Sequence, residues 1–333
     1  MARNRNLHTA KVAKDDEYYT PYASVENELS HYKEFFLGKS VYCNCDNPTT
    51  SAFWKYFHTN FERLGLRFLV ASYYSLTSSA CEMVYAGGND EDISTGISIN
   101  LNGNGDFRSK ECLTLLNDCD VCCSNPPFSL ANEYISILKS SGKKFIVVGD
   151  LNWASAKEMF PLLKENKARI GYTRIDAFIT PDGTEKKFGN KVWYTNFDIK
   201  REYKDIPLTK KYSAKLYPHY LNYDAIEVGR ITDIPYDYPG IMGVPITIMQ
   251  KLNPEQFDVI GISGYFGEYG SDAIGIKKIG DEWLSRYFSQ GNTGHYTANM
   301  RVLVYYDKDG IAKSSFSRIL IKNRRIFSSI THN

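Results

Sequence analysis

The segment Ser124-Asn125-Pro126-Pro127-Phe128-Ser129-Leu130 carries the clearest chemistry in the chain. It follows the apolar run Asp120-Val121-Cys122-Cys123, which reads as a strand, so the segment is the loop at that strand's carboxyl end. Two successive prolines hold φ near about −65° and carry carbonyls without an N–H of their own, so the loop presents acceptors outward. Asn125 adds a side-chain carbonyl and Phe128 an aromatic face. Two acceptors beside a stacking surface suit an exocyclic amine on an aromatic ring, and adenine N6 is the leading example.

The chemistry asked of such a loop is modest. The lone pair of N6 is delocalised into its ring, so a catalyst must accept hydrogen bonds from the amine as it becomes tetrahedral. Asn125 Oδ1 and the Pro126 carbonyl would do so, stabilising positive charge that develops only in the transition state. Phe128 would orient the ring by offset stacking, and no covalent intermediate is needed. The competing reading is an ordinary Asn-Pro turn with a core phenylalanine.

The elements around the loop read as an α/β protein. Ser24 to Leu37 places Val25, Leu29, Tyr32, Phe35 and Phe36 at near-helical spacing before Gly38, which predicts a helix. Strands are expected at Val41 to Cys45 and Leu66 to Ala71, with a helix between them bearing Phe53, Phe57, Phe61 and Leu64. Cys81 to Tyr85 and Ile97 to Leu101 read as a hairpin. Leu130 to Leu138 and Ala154 to Leu163 read as helices, and Phe145 to Gly149, Ala168 to Thr173 and Lys191 to Phe197 as strands. This rhythm predicts a doubly wound sheet of about seven strands ending near residue 200. Beyond Asp198 prolines, tyrosines and glycines become frequent, which predicts a second domain over 201–333.

Composition narrows the class. The 43% hydrophobic and 23% charged content is that of a globular protein. No apolar run approaches the ~18 residues a membrane span requires, and Met1 to Lys14 lacks the apolar stretch of a secretion signal, so cytoplasmic residence is expected. All seven cysteines fall within the first 123 residues, and an odd count without a secretion signal predicts reduced thiols. Cys119-x-x-Cys122 has metal-ligand spacing but no second pair, so no metal is expected. The net charge of +2 hides basic arms: Arg3, Arg5, Lys11 and Lys14 at one end, and Lys313, Arg318, Lys322, Arg324 and Arg325 at the other, with no acid in residues 1–14 or 311–333. Such arms suit phosphate contacts, although each alone also fits a solubilising terminus.

Several segments together resemble the amino-methyltransferases. The Asn-Pro-Pro-Phe loop resembles their motif IV. Asp15-Asp16-Glu17-Tyr18-Tyr19-Thr20-Pro21 is similar to motif X, which implies that Tyr19, Thr20 and Pro21 lie against the methionine part of S-adenosylmethionine. Asn44 and Asp46, at the end of the first strand, would face the same part of that cofactor, and the plain reading of Asp46 is a helix-capping aspartate. Gly105-Asp106-Phe107 resembles motif III, implying that Asp106 and Phe107 contact the cofactor's adenine end. Lys191-Val192-Trp193-Tyr194-Thr195-Asn196 resembles motif VIII, whose aromatic faces an extruded target base. Trp193 and Tyr194 alternate along a strand, so only one of them can face the site.

The motif order resembles the gamma group of DNA adenine-N6 methyltransferases, and within it the EcoRI-type modification methyltransferase family. Tyr42-Cys43-Asn44-Cys45-Asp46, Glu26-Asn27-Glu28-Leu29, Gly243-Val244-Pro245-Ile246-Thr247, Asn253-Pro254-Glu255-Gln256-Phe257 and Arg318-Ile319-Leu320-Ile321-Lys322 carry that resemblance along nearly the whole chain. It implies a Rossmann-like S-adenosylmethionine-dependent methyltransferase sheet over 1–200 and a target-recognition domain over 201–333. It also implies a monomeric enzyme that flips adenine from double-stranded DNA, protects DNA beside a restriction endonuclease, and reads a hexamer of the GAATTC kind. Two features depart from the general pattern. No glycine-rich loop follows the first strand, and Ala71-Ser72-Tyr73-Tyr74 lacks the acid that usually ends the second, which leaves the ribose contact unassigned. RNA-adenine or protein-glutamine methylation is the rival chemistry, and a non-catalytic nucleic-acid binder is the rival of another class.

Overall fold

A computed structural model describes residues 18–75, 80–180, 182–199 and 203–325. Arg3, Arg5, Lys11 and Lys14, and the acidic start of the Tyr-Thr-Pro segment, lie outside the described residues. The chain divides into two compact units, Met1–Trp153 with Asn166–Ile199, and Ala154–Glu165 with Lys200–Asn333.

The first unit is a mixed α/β layer structure. Its strands are β1 (Ser40–Cys43), β2 (Phe68–Ser72), β3 (Cys81–Tyr85), β4 (Ile97–Asn100), β5 (Val121–Ser124), β6 (Lys144–Asp150), β7 (Arg169–Ile179) and β8 (Glu185–Thr195), in the order β4-β3-β2-β1-β5-β6-β8-β7. The central four, β2-β1-β5-β6, are parallel, while β8 and β3 run antiparallel to their inner neighbours. The expected hairpin of β3 and β4 forms, with Cys81 opposite Asn100. The sheet has eight strands, against about seven expected.

Helices cover both faces of the sheet, which is why its central strands are apolar throughout rather than alternating. On one face α1 (Tyr22–Leu29), α2 (Ala52–Thr59) and α3 (Phe61–Leu64) bury Val25, Leu29, Phe53 and Phe57 against Val41, Cys43, Leu69, Val121, Ile146 and Trp193. On the other, α4 (Lys110–Asp118) and α5 (Ala131–Ser141) bring Cys112 toward Ser72, at 3.9 Å between Sγ and Oγ, and Tyr134 to Cys122. The helix expected over 24–37 is shorter, passing into a 3-10 turn at Ser30–Phe35. The helix expected up to Gly65 breaks at Asn60, whose amide back-bonds to the Tyr56 carbonyl at 2.7 Å.

One contact ties α1 to the sheet. Between Ile170 and Arg174 the β7–β8 register shifts, and Tyr172 and Thr173 turn their N–H groups to the buried carboxylate of Glu28, at 2.9 and 2.7 Å. Thr173 Oγ1 and Tyr32 OH also donate to it. Gly171 is what admits this carboxylate: a Cβ there would stand 2.2 Å from Glu28 Oε1.

The second unit has a sheet of its own, with β9 (Ala225–Glu227), β10 (Ile241–Pro245), β11 (Phe257–Ile262) and β14 (Arg318–Asn323) in the order β11-β14-β10-β9, besides a ribbon of β12 (Val304–Tyr306) and β13 (Ala312–Ser314). It includes α6 (Met159–Lys164) and α7 (Gly280–Ser289). Phe160 of α6 meets the Tyr265 ring edge-on at 6.4 Å, and Glu165 accepts from Tyr269 OH at 3.0 Å. A division of the linear chain at residue 200 does not include this excursion. No helix among the described residues is long and apolar enough to cross a membrane.

Candidate active site at the carboxyl ends of the parallel strands

From β1 the chain passes to β2 on one side, while β5 pairs with β1 on the other, and Val41 and Tyr42 lie opposite Val121 and Cys122. Strand order therefore reverses between β1 and β5, and the crevice at their carboxyl ends is where open α/β sheets hold ligands. Asn44-Cys45-Asp46 and Asn125-Pro126-Pro127-Phe128 both emerge there.

Asp46 joins the two loops. Its Oδ2 accepts from Ser124 Oγ at 2.7 Å and from Asn125 N at 3.4 Å, and its Oδ1 accepts from Ser51 Oγ at 2.8 Å. Ser51 in turn caps α2, accepting from the N–H groups of Phe53 and Trp54. Asp46 thus braces the cap rather than serving as the cap itself. Burial pushes its carboxyl up to about 6, against the three hydrogen bonds that favour the charged form.

Asn125 is held by the segment that precedes α1. Its amide lies 2.5 Å from the Tyr18 carbonyl, and because a carbonyl only accepts, the nearer amide atom is Nδ2. Oδ1 is thereby turned the other way, where it is buried and meets no donor among the described residues. Tyr18 is itself fixed by its neighbour, since Tyr19 and Ile179 exchange backbone hydrogen bonds at 2.8 and 2.9 Å. Pro127 gives its carbonyl to Leu130 N, closing the 3-10 turn that starts at Phe128, whereas the Pro126 carbonyl accepts no backbone N–H among the described residues. Thr20 Oγ1 is buried and likewise without a partner there.

Phe128 packs against the core beside Phe178, ring centroids 6.0 Å apart. The Lys191 ammonium stands over its ring, 3.5 Å from the centroid. Lys191 lies opposite Asp150 in the register of β8 with β6, and its Nζ is 3.3 Å from Asp150 Oδ2. Tyr18, Phe178 and Phe188 complete an aromatic cluster, Tyr18 and Phe188 with centroids 4.9 Å apart.

Other expected residues have different surroundings. Trp193 and Tyr194, expected at the target base, are both wholly buried: Trp193 packs on Phe53, and Tyr194 stacks on Trp153 and donates to the Asp150 carbonyl. With helices on both faces of the sheet, alternation buries both side chains, and neither offers a face to a base. Asn44 is buried, its Oδ1 accepting from Tyr134 OH at 2.8 Å. Asp106 chelates Arg108, which holds its carboxyl below the usual carboxylate range, and Phe107 is core, edge-on to Tyr134. Gly105 is obligatory in that loop, with φ of 74° and a Cβ position only 2.0 Å from the Tyr73 carbonyl.

The basic residues of the second unit divide similarly. Arg318, expected on DNA, is half-buried and paired with buried Glu227 at 2.6 Å, in a cluster with Tyr220 and Ser315. That pairing removes it from the set free to meet phosphate. Lys322 is half-buried on β14 opposite Asp258. Arg324 and Arg325 are exposed and face Asp258 and Asp205.

Three site residues escaped the reading of the sequence. The expected strand began at Lys191 and left Phe188 outside it; the two are three residues apart, which regular alternation would set on opposite faces, and they meet where the β7–β8 register shifts between Ile175 and Ala177. Glu82 is the third. It lies opposite Ser72, the last residue of β2, and its Oε2 is buried without a donor among the described residues. Burial, with help from Glu111, raises its carboxyl above the ordinary range. An acid thus stands beside the end of β2, one strand over.

A family profile described as adenine-specific methyltransferase EcoRI matches residues 6–324. The chain belongs to that family. Its relatives include the type II methyltransferase M.EcoRI of Escherichia coli, 43% identical over 291 residues, 78% of this chain and 89% of the relative. Type II methyltransferases M.MgeORF184P of Mycoplasma genitalium and M.MpnI of Mycoplasma pneumoniae are 32% and 31% identical, covering 77% and 76% of this chain and 85% and 84% of their own lengths. No solved structure matches the chain. Membership makes the protein an adenine-specific DNA methyltransferase of the restriction-modification type, with DNA as its substrate.

Proposed function

We propose that the enzyme transfers a methyl group from S-adenosylmethionine to N6 of an adenine extruded from double-stranded DNA, at the crevice between β1 and β5. The observation that carries this reading is Asn125 Oδ1, buried, undonated among the described residues, and fixed in direction by the bond from Nδ2 to the Tyr18 carbonyl. A buried acceptor without a donor is costly, by roughly 1–3 kcal/mol, and is expected where a ligand supplies the donor. The amine of adenine does so, and the Pro126 carbonyl takes its second hydrogen.

The residues present fit the cofactor. Asp46 offers a carboxylate to an ammonium, Thr20 an unpaired hydroxyl on the segment next to Asn125, and Glu82 an undonated carboxylate oxygen suited to ribose hydroxyls. When bound, the cofactor supplies the electrophilic methyl. The chain supplies the rest: Asn125 and Pro126 accept from N6 as it becomes tetrahedral, and Phe128 orients the base in line. Extrusion costs a few kcal/mol, which phosphate contacts offset. The second unit is assigned to target recognition, with Arg324 and Arg325 and the basic amino-terminal arm on phosphates. The enzyme acts as a monomer on a hexamer of the GAATTC kind.

The test is transfer of labelled methyl from S-adenosylmethionine into unmethylated duplex DNA, followed by single-molecule sequencing for N6-methyladenine. One modified motif is the expected result. Unlabelled DNA in the presence of bound cofactor overturns the reading.

A further inference from the structure

The Lys191 side chain is 7% exposed, which is unusual for a lysine at the mouth of a sheet. Its ammonium is held from two sides. Asp150 is the anchor, and that carboxylate is itself fixed by Asn190 Nδ2 at 2.6 Å and Asn152 N at 2.8 Å. Phe128 is the seat, with Nζ 3.5 Å from its centroid, and the Phe188 ring stands farther away, at 5.4 Å.

One face of a phenyl ring cannot carry an ammonium and a stacked base at once. A cation beside N6 would also oppose the positive charge that nitrogen gains during transfer, whereas the same cation drawn back onto Asp150 is neutralised. We propose that Lys191 gates the target-base site: its ammonium covers Phe128 while no base is present and retreats along Asp150 when an extruded adenine takes the ring. The inference rests on the proposed base extrusion, and it gives extrusion a competitor inside the protein.

The experiment uses a duplex bearing the methylated motif with 2-aminopurine in place of the target adenine, since its fluorescence rises on unstacking. The full chain is compared with Lys191→Met, Lys191→Gln and Lys191→Arg. Losing one desolvated cation–π contact should raise the ratio of extruded to stacked base about tenfold in Lys191→Met and Lys191→Gln, but not in Lys191→Arg. Lys191→Gln can still donate to Asp150, so it decides the matter if Lys191→Met fails to fold. A wild-type signal that is unchanged or lower in both neutral variants overturns the gate and leaves extrusion standing. Bound DNA with no rise in any of the proteins overturns extrusion and the gate together.

Discussion

Asn125 Nδ2 donates to the Tyr18 carbonyl at 2.5 Å, across 107 residues of sequence. The bond makes the segment before α1 part of the candidate site, because it decides which way the Asn125 acceptor points. Asn125→Ala should therefore lower kcat by about 10²–10³-fold, the scale for removing one preorganised hydrogen-bonding group, while DNA binding is retained. Asn125→Asp keeps an acceptor but sets a carboxylate oxygen against the Tyr18 carbonyl, and should lose turnover to a similar degree. Single-turnover methylation beside a gel-shift titration separates chemistry from binding, and unaltered turnover in Asn125→Ala would remove this residue from the mechanism.

Asp46 predicts a pH dependence of stability. Its folded carboxyl titrates at about 6 against an ordinary value of 3.8, so between those values the folded chain binds more protons than the unfolded one. Its contribution to stability is then greatest below pH ~4 and is lost as pH rises through 6. Asp46→Asn abolishes this titration, leaving an offset independent of pH. Relative to that variant, wild type should gain about 2 kcal/mol as pH falls from roughly 7.5 to 4.5, as read from urea midpoints. Equal slopes for the two proteins would show that Asp46 titrates normally.

Arg318 and the pair Arg324 and Arg325 should respond oppositely. Arg318→Met leaves Glu227 buried without its cation and should cost about 3–5 kcal/mol, with no change in the salt dependence of DNA binding. Arg324→Ala with Arg325→Ala removes two exposed ion pairs worth roughly 0–1 kcal/mol each. If both arginines exchange their aspartates for phosphates, the slope of log K against log salt should become shallower by about 2. An unchanged slope would take them out of the DNA interface.

Gly171→Ala tests the clamp between α1 and β7. The new methyl would enter the space of Glu28 Oε1 and of Trp193 Cβ, which lies 2.7 Å from the added position. Overpacking of this kind costs about 1–3 kcal/mol, and Glu28→Gln should cost a similar amount by turning an amide toward backbone N–H groups. Thermal melts that leave either variant at the wild-type midpoint would refute the clamp.

Much of this site was legible in the sequence because it rests on local rules. Val121 to Ser124 is too short and apolar to be anything but a buried strand, and two prolines end it, so the position of Asn125 followed. The β3–β4 hairpin was legible from its glycine turn. What escaped depends on long-range neighbours. The helix Lys110–Asp118 mixes charged and apolar residues, with only Cys112 and Leu116 buried, and its Ser109 cap was the one available signal. Alternation was read as turning one of Trp193 and Tyr194 to the site and the other to the core, whereas this strand lies between two helical layers and both are buried. Lys191 stood only as the first residue of an expected strand, and the register that sets it opposite Asp150 reveals its place.

The loan of Ala154–Glu165 to the second unit has a consequence for how such enzymes can be recombined. Within that unit Phe160 lies against Tyr265, Glu165 bonds Tyr269, and the Lys164 ammonium sits 4.3 Å over the Tyr269 ring. A chimera joined once near residue 200 would inherit these twelve positions from one parent and their packing partners from another. Exchanging the second unit between relatives therefore takes three junctions rather than one, at 153/154, 165/166 and 199/200.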